Sequence, residues 1–229
     1  VDSRHYSPGA PGPDFHSGYG YQIWMSPYGF HGNEAFGQQC VVVPHLDLVV
    51  ALTAAHTEVR HAQDTLDAIW ECLLPGIDTS GSVAADTALS RRLQQLTLSL
   101  IEGDEERAPT PLTAIADGTP AQSALPDGAE VTVDRRPGGW LIRLGSACTV
   151  AVGYGRWCES RPMGRPVVAS GAWQGDVFVS EIHLVNTPHR VRLTIRGARA
   201  ELLWATIPLT GTDLIAHMTS PLMTRPDVA

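Results

Sequence analysis

Cys40-Val41-Val42-Val43-Pro44-His45-Leu46-Asp47-Leu48-Val49-Val50-Ala51-Leu52-Thr53 holds two apolar, β-branched runs on either side of a four-residue connection. Runs of this composition suit strands, and so short a link between them makes them antiparallel neighbours. Working back along the chain, Tyr19, Tyr21 and Ile23 alternate through Gly18-Tyr19-Gly20-Tyr21-Gln22-Ile23-Trp24, which predicts another strand, and Ser26-Pro27-Tyr28-Gly29 predicts a turn. Working forward, Val59, Ala62, Leu66, Ile69, Trp70 and Leu73 fall on one helical face, with Thr57 as N-cap and Pro75-Gly76 at the stop. That helix packs on the antiparallel meander, and the other face of the sheet requires a second cover.

Beyond Pro75 the composition turns small and polar up to Ala85, which places a division between residues 1–76 and 77–229. Asp86 is placed as the cap of a short helix carrying Leu89, Leu93 and Leu96, and a Pro-rich loop region follows from Glu102 to Asp127. Alternating segments at 129–134, 139–144, 147–154, 166–172, 176–185, 190–196 and 200–207 then predict a mostly antiparallel β-sandwich or lipocalin-like barrel. The fold class is therefore α+β.

All 16 Lys and Arg residues are Arg, so the chain has no Lys. A P-loop, a pyridoxal Schiff base and an S-x-x-K nucleophile each need one, and no cofactor is called for. A net charge of −8 argues against nucleic acid as a partner. The longest apolar runs fall well short of the roughly 20 residues of a membrane helix. Val1-Asp2-Ser3-Arg4-His5 reads as a cut end within a longer polypeptide. Cys40, Cys72, Cys148 and Cys158 form no C-x-x-C pair and read as reduced, buried thiols, which favours the cytoplasm. A Cys148–Cys158 bridge across the Gly153-Tyr154-Gly155 turn is the lesser alternative. His56 and His61 lack the H-E-x-x-H pattern, so no metal is expected and both read as solvated surface.

Taken in order, Gly18 to Trp24, Gly32-Asn33-Glu34-Ala35-Phe36-Gly37-Gln38, Val41 to Thr53 and the helix ending Ile69-Trp70-Glu71-Cys72-Leu73-Leu74-Pro75 resemble the last part of serine hydrolases of the β-lactamase and penicillin-binding-protein superfamily, those similar to 6-aminohexanoate-dimer hydrolases and esterases. The resemblance spans about Asp14 to Pro75. It implies a transpeptidase-like sheet of which this chain supplies the closing antiparallel strands and the C-terminal helix. The S-x-x-K Ser and Lys would lie in preceding sequence. It further implies that His31, Gly32, Asn33, Glu34 and Ala35 form an active-site wall, with the Ala35 N–H as oxyanion donor and His31 as a candidate for the cationic position. Relatives usually carry Gly where Glu34 stands, a departure that leaves the register open. Gly37 reads as a bend where the strand leaves the site.

These readings make the chain the C-terminal part of a hydrolase acting through an acyl-enzyme on an amide, ester or β-lactam, inactive alone. Its partner is then the rest of that hydrolase, or a second copy meeting it through the exposed sheet at Tyr21, Ile23, Val41 and Val43. The rival reading is a binding barrel with Trp140, Trp157, Trp173 and Trp204 around a ligand cavity, although tryptophans at one per strand more often build core.

Overall fold

The computed structural model describes residues 12–58, 61–77, 79–105, 111–146 and 148–221, so the Val1 end and Val59 lie outside the described residues. The chain divides into two compact units, Val1–Thr97 and Leu98–Ala229.

The first unit is a five-stranded antiparallel sheet in sequential order: β1 (Tyr19–Gly20), β2 (Ile23–Ser26), β3 (Gly29–Asn33), β4 (Gln39–Val43) and β5 (Leu48–Leu52). Pro44 to Leu46 makes the expected tight link, closed by Asp47 in the left-handed region at φ 48°. Helix α1 (His61–Ala68) begins four residues beyond Thr57 and continues as a wider turn over Ile69–Leu73. Ala62, Leu66 and Ile69 pack with Phe15 on Val41 and Val43. The pairing of His31 with Val41 puts His31 on this same covered face.

The opposite face of the sheet carries Met25, Phe30, Cys40, Val42, Val49 and Ala51, with Val49 63% exposed and Met25 47%. This corrects the expected exposed patch: Val41 and Val43 are fully buried, because they lie one residue out of phase with the bare face. Tyr21 is exposed, but in the turn between β1 and β2 and not on the sheet as expected. Helix α2 (Val83–Gln94) starts at Ser82, whose Oγ accepts from the Ala85 N–H at 3.1 Å, so Ser82 and not Asp86 is the cap. Leu89 and Leu93 on it are exposed, as is Leu96, which lies beyond its end.

The second unit contains a closed barrel of eight strands. Strands β6 (Leu112–Ala116), β7 (Glu130–Arg136), β8 (Gly139–Leu144) and β9 (Cys148–Gly153) form one antiparallel meander. After the short β10 (Cys158–Ser160), strands β11 (Val167–Gln174), β12 (Val177–Leu184), β13 (Arg190–Arg196) and β14 (Arg199–Trp204) form another. The two meanders join through parallel seams, β14 to β6 at Arg199–Ile115 and Ala200–Ala116, and β9 to β11 at the single pair Gly153–Ser170. Up-and-down barrels such as lipocalins have no such parallel seams when every neighbour is antiparallel. The narrow β9–β11 seam is extended by Asp104, whose backbone exchanges both hydrogen bonds with Trp173, at 2.8 and 2.9 Å.

Alternate residues of every barrel strand point inward and fill the interior: Val131 and Val133, Ile142, Val150, Phe178 and Ile182, Leu193 and Ile195, and Leu202 are all buried. One end is stoppered by helix α3 (Leu214–Met218), whose Leu214 and Met218, one turn apart, are both fully buried. Asp213 caps α3 through Oδ1, and the Leu214 N–H donates to the Ala124 carbonyl at 3.2 Å. Leu214→Ala is expected to cost roughly 2–4 kcal/mol in thermal or denaturant unfolding, because the barrel end cannot collapse onto the lost volume. Ile215→Ala, on the half-buried side of α3, is expected to cost less than about 1 kcal/mol. Equal losses in the two variants would mean that α3 does not plug the barrel.

Candidate functional site

The segment expected to form an active-site wall is the end of β3 and the turn into β4. Its five residues do not share one environment. His31 is fully buried: its Nδ1 shares a hydrogen bond of 2.8 Å with Ser26 Oγ, and Phe15 packs edge-on at 5.0 Å between ring centroids. Gly32 points to the bare face, with no atom within 4 Å of where a Cβ would stand. Asn33 Oδ1 accepts from Gln39 Nε2 at 3.3 Å, and Gln39 Nε2 also donates to the Ala62 carbonyl at 2.9 Å. Glu34 and Ala35 are exposed at the turn.

His31 belongs instead to a buried polar layer under the sheet. Gln63 Nε2 donates to Asp14 Oδ2 at 2.6 Å and to Asp67 Oδ1 at 2.8 Å, and Trp70 Nε1 donates to Asp14 Oδ2 at 3.2 Å. His31 Nε2 and Asp14 Oδ1 are buried without a hydrogen-bond partner among the described residues. Ser26, His31 and Asp14 thus resemble a nucleophile–base–acid row in residue type, but all three are buried, with Ser26 only 9% exposed, which leaves a substrate carbonyl little access to its hydroxyl. Burial lowers the His31 pKa, a pull that the Asp14 carboxylate partly opposes.

Unfolded, this imidazole titrates near 6.5; folded, it titrates lower. Between the two values the unfolded chain binds more proton, so stability falls as pH falls through that window and is unaffected by this group above it. Unfolding midpoints between pH 7.5 and 5.5 are expected to drop less steeply in His31→Leu than in the parent chain. Parallel slopes would remove His31 as a source of the pH dependence.

The turn itself holds what sequence reading missed. Phe36 sits in the left-handed region at φ 64°, ψ 18°, and Gly37 follows at φ 85°. A Cβ on residue 37 would lie 2.3 Å from His56 Nδ1, so the bend demands Gly both for conformation and for space. His56 is therefore half-buried against the turn and not solvated surface. Its N–H donates to the Phe36 carbonyl at 2.9 Å, and burial together with the neighbouring His61 lowers its pKa. A pairing between positions 37 and 56 leaves no periodic trace by which sequence could reveal it.

In the barrel, Trp140, Trp173 and Trp204 are core, as the one-per-strand spacing indicated, while Trp157 is half-buried on the outside with its Nε1 donating to the Leu98 carbonyl at 3.2 Å. No common cavity gathers the four. Trp140 packs edge-on against Phe178 and Tyr154, with the Arg135 guanidinium 5.4 Å from its ring centre. A surface groove of about 640 Å³ lies between the 118–126 loop and the start of α3. Its polar groups serve the protein's own backbone: Ser123 Oγ donates to the Leu125 carbonyl at 2.8 Å, and Asp213 caps α3.

All four cysteines are free, which corrects the alternative of a Cys148–Cys158 bridge. Cys40 and Cys72 are exposed, contrary to expectation, because each falls on a bare face of its element. Cys148 is buried beside Met218, and burial pushes its thiol up to about 11, which makes it inert. Among the described residues no group of three or more His, Cys, Asp or Glu could hold a metal ion, and no helix is long and apolar enough to cross a membrane. No family model, curated protein or solved structure matches the chain.

Proposed function

We propose that the first unit is the closing part of the catalytic sheet of a serine hydrolase of the β-lactamase and penicillin-binding-protein superfamily, acting on an amide, ester or β-lactam carbonyl through an acyl-enzyme. The observation that carries this reading is the sheet's unfinished form. One face is covered by α1 and Phe15, while the other is apolar and bare, and β5 ends the sheet with a row of Leu, Val and Ala. An edge with no charge, proline or bulge to protect it calls for a neighbouring strand. An apolar face of this kind calls for a covering layer. Preceding strands and helices of a hydrolase would supply both, together with the Ser and Lys that this Lys-free chain cannot provide.

In this reading the exposed Glu34–Ala35 turn forms the wall, and the Ala35 backbone N–H stabilises the tetrahedral oxyanion, a role that any non-proline residue can fill. Buried His31 takes no part in it. The barrel is an accessory domain whose packed interior favours a role for its outer surface over ligand storage. The purified chain is expected to show no saturable hydrolysis of a chromogenic cephalosporin or a p-nitrophenyl ester, whereas the product of the full reading frame hydrolyses at least one of them. Saturable turnover by this chain alone would refute the reading.

A further inference from the structure

We infer that Gln38 and His56 are positioning residues that hold the Glu34–Gly37 turn in the form needed to aim the Ala35 N–H at the reacting carbonyl; this rests on the hydrolase reading above. The turn runs against ordinary backbone preference. Phe36 occupies the left-handed region, which is uncommon for a bulky side chain, and unlike the exposed left-handed Tyr21 it is held by contacts from outside its own turn. Those contacts come from residues distant in sequence. The Glu34 N–H donates to the Gln38 carbonyl at 2.9 Å and closes the turn. The Gln38 amide then grips both backbone groups of Ala54, donating to its carbonyl at 2.7 Å and accepting its N–H at 3.3 Å.

Two residues on, the His56 N–H holds the Phe36 carbonyl, and the His56 ring fills the space left by the missing Cβ of Gly37. The ring is itself fixed. Thr65 gives its hydroxyl proton to the His61 carbonyl at 2.9 Å, so the 3.4 Å contact between Thr65 Oγ1 and His56 Nε2 has the imidazole as donor. The His61 ring stands edge-on at 5.6 Å. The strained turn is thereby tied to the 54–56 stretch and through it to α1.

A plain link between β3 and β4 needs neither a left-handed Phe nor a side chain clamping a distant backbone. A backbone donor that must not reorganise during the reaction gains from a turn fastened in this way. Ala35 itself stays exposed on this fastened turn, at the surface that the hydrolase reading gives to the substrate.

The test uses the product of the full reading frame, as wild type and as Gln38→Ala, His56→Ala and His56→Phe, with a p-nitrophenyl ester for kcat and KM and a fluorophosphonate for the labelling rate. Melting temperatures of the same variants report on folding. Removing an oxyanion donor outright costs roughly 10²–10³ in kcat, and a misaimed one is expected to cost about tenfold. Gln38→Ala and His56→Ala should each lose about that much kcat and labelling rate at unchanged KM, with melting within a few degrees of wild type. His56→Phe, which restores the ring against Gly37, should recover most of the loss. Unchanged kcat in both alanine variants, or a kcat loss that merely follows a fall in melting temperature and is not recovered by Phe, would overturn the inference while leaving the hydrolase reading intact. A wild-type product that neither labels nor turns over would overturn the reading and the inference together.

Discussion

Gly139→Ala is expected to cost the barrel roughly 3 kcal/mol or more, which lowers its melting temperature by about 10 °C. Gly139 opens β8 at φ 156° and pairs with Gly153 of β9. A methyl group there would lie 1.9 Å from the Val152 carbonyl oxygen, 3.0 Å from its carbon and 3.1 Å from the Gly153 Cα. All three atoms are backbone of the facing strand, so no rotamer change relieves the overlap; β8 and β9 have to part. They would part where the barrel is weakest, since Gly153 also forms the single-residue seam with Ser170. Gly145→Ala is the control. It sits at φ 61° with nothing within 4 Å of the added carbon, so it carries only the left-handed penalty of about 1 kcal/mol. Thermal unfolding of the two variants should separate them by several degrees, and similar losses would mean that the β8–β9 closure is not as tight as described.

Most of the barrel's strands were legible because turn residues punctuate them. Gly138-Gly139, Gly145, Gly175 and Gly197 mark turns between runs that alternate inward and outward, and seven of the predicted segments coincide with β7 to β9 and β11 to β14. Two strands were not legible. Leu112–Ala116 is rich in alanine and sits within a Pro-rich stretch, and Cys158–Ser160 is only three residues long. The closure into a barrel with parallel seams was also hidden, since it depends on pairs such as Arg199–Ile115 that lie far apart in the chain.

In the first unit the β4–β5 pair and α1 were readable, but the alternation of Tyr19, Tyr21 and Ile23 that predicted one strand is broken by a left-handed turn at Tyr21–Gln22 into β1 and β2. Strand β3 left no such trace, and the sidedness was hidden. Whether His31 faces the wall or the interior depends on its pairing with Val41, and a one-residue shift would reverse the answer. The burial of Trp140, Trp173 and Trp204 followed from their strand positions, whereas Trp157 lies just before β10 and escaped that rule. His56 was passed over because its significance comes from Gly37, a contact set by tertiary structure alone.

The hydrolase reading also makes the largest prediction in chemical terms. An S-x-x-K serine activated by its Lys reacts with a fluorophosphonate to form a covalent adduct, while a hydroxyl without such a base at neutral pH reacts far more slowly. This chain has no Lys, and Ser26, which is hydrogen-bonded to the His31 imidazole in the first unit, is buried. The contrast between the product of the full reading frame and the present chain should therefore be one of label against no label. The decisive measurement is fluorophosphonate labelling of both proteins followed by mass mapping of the modified peptide. The account predicts stoichiometric label on a serine three residues before a lysine, in sequence preceding Val1, and none on this chain. Label on a residue of this chain, or a full product that takes up no label and holds no such serine, would contradict it.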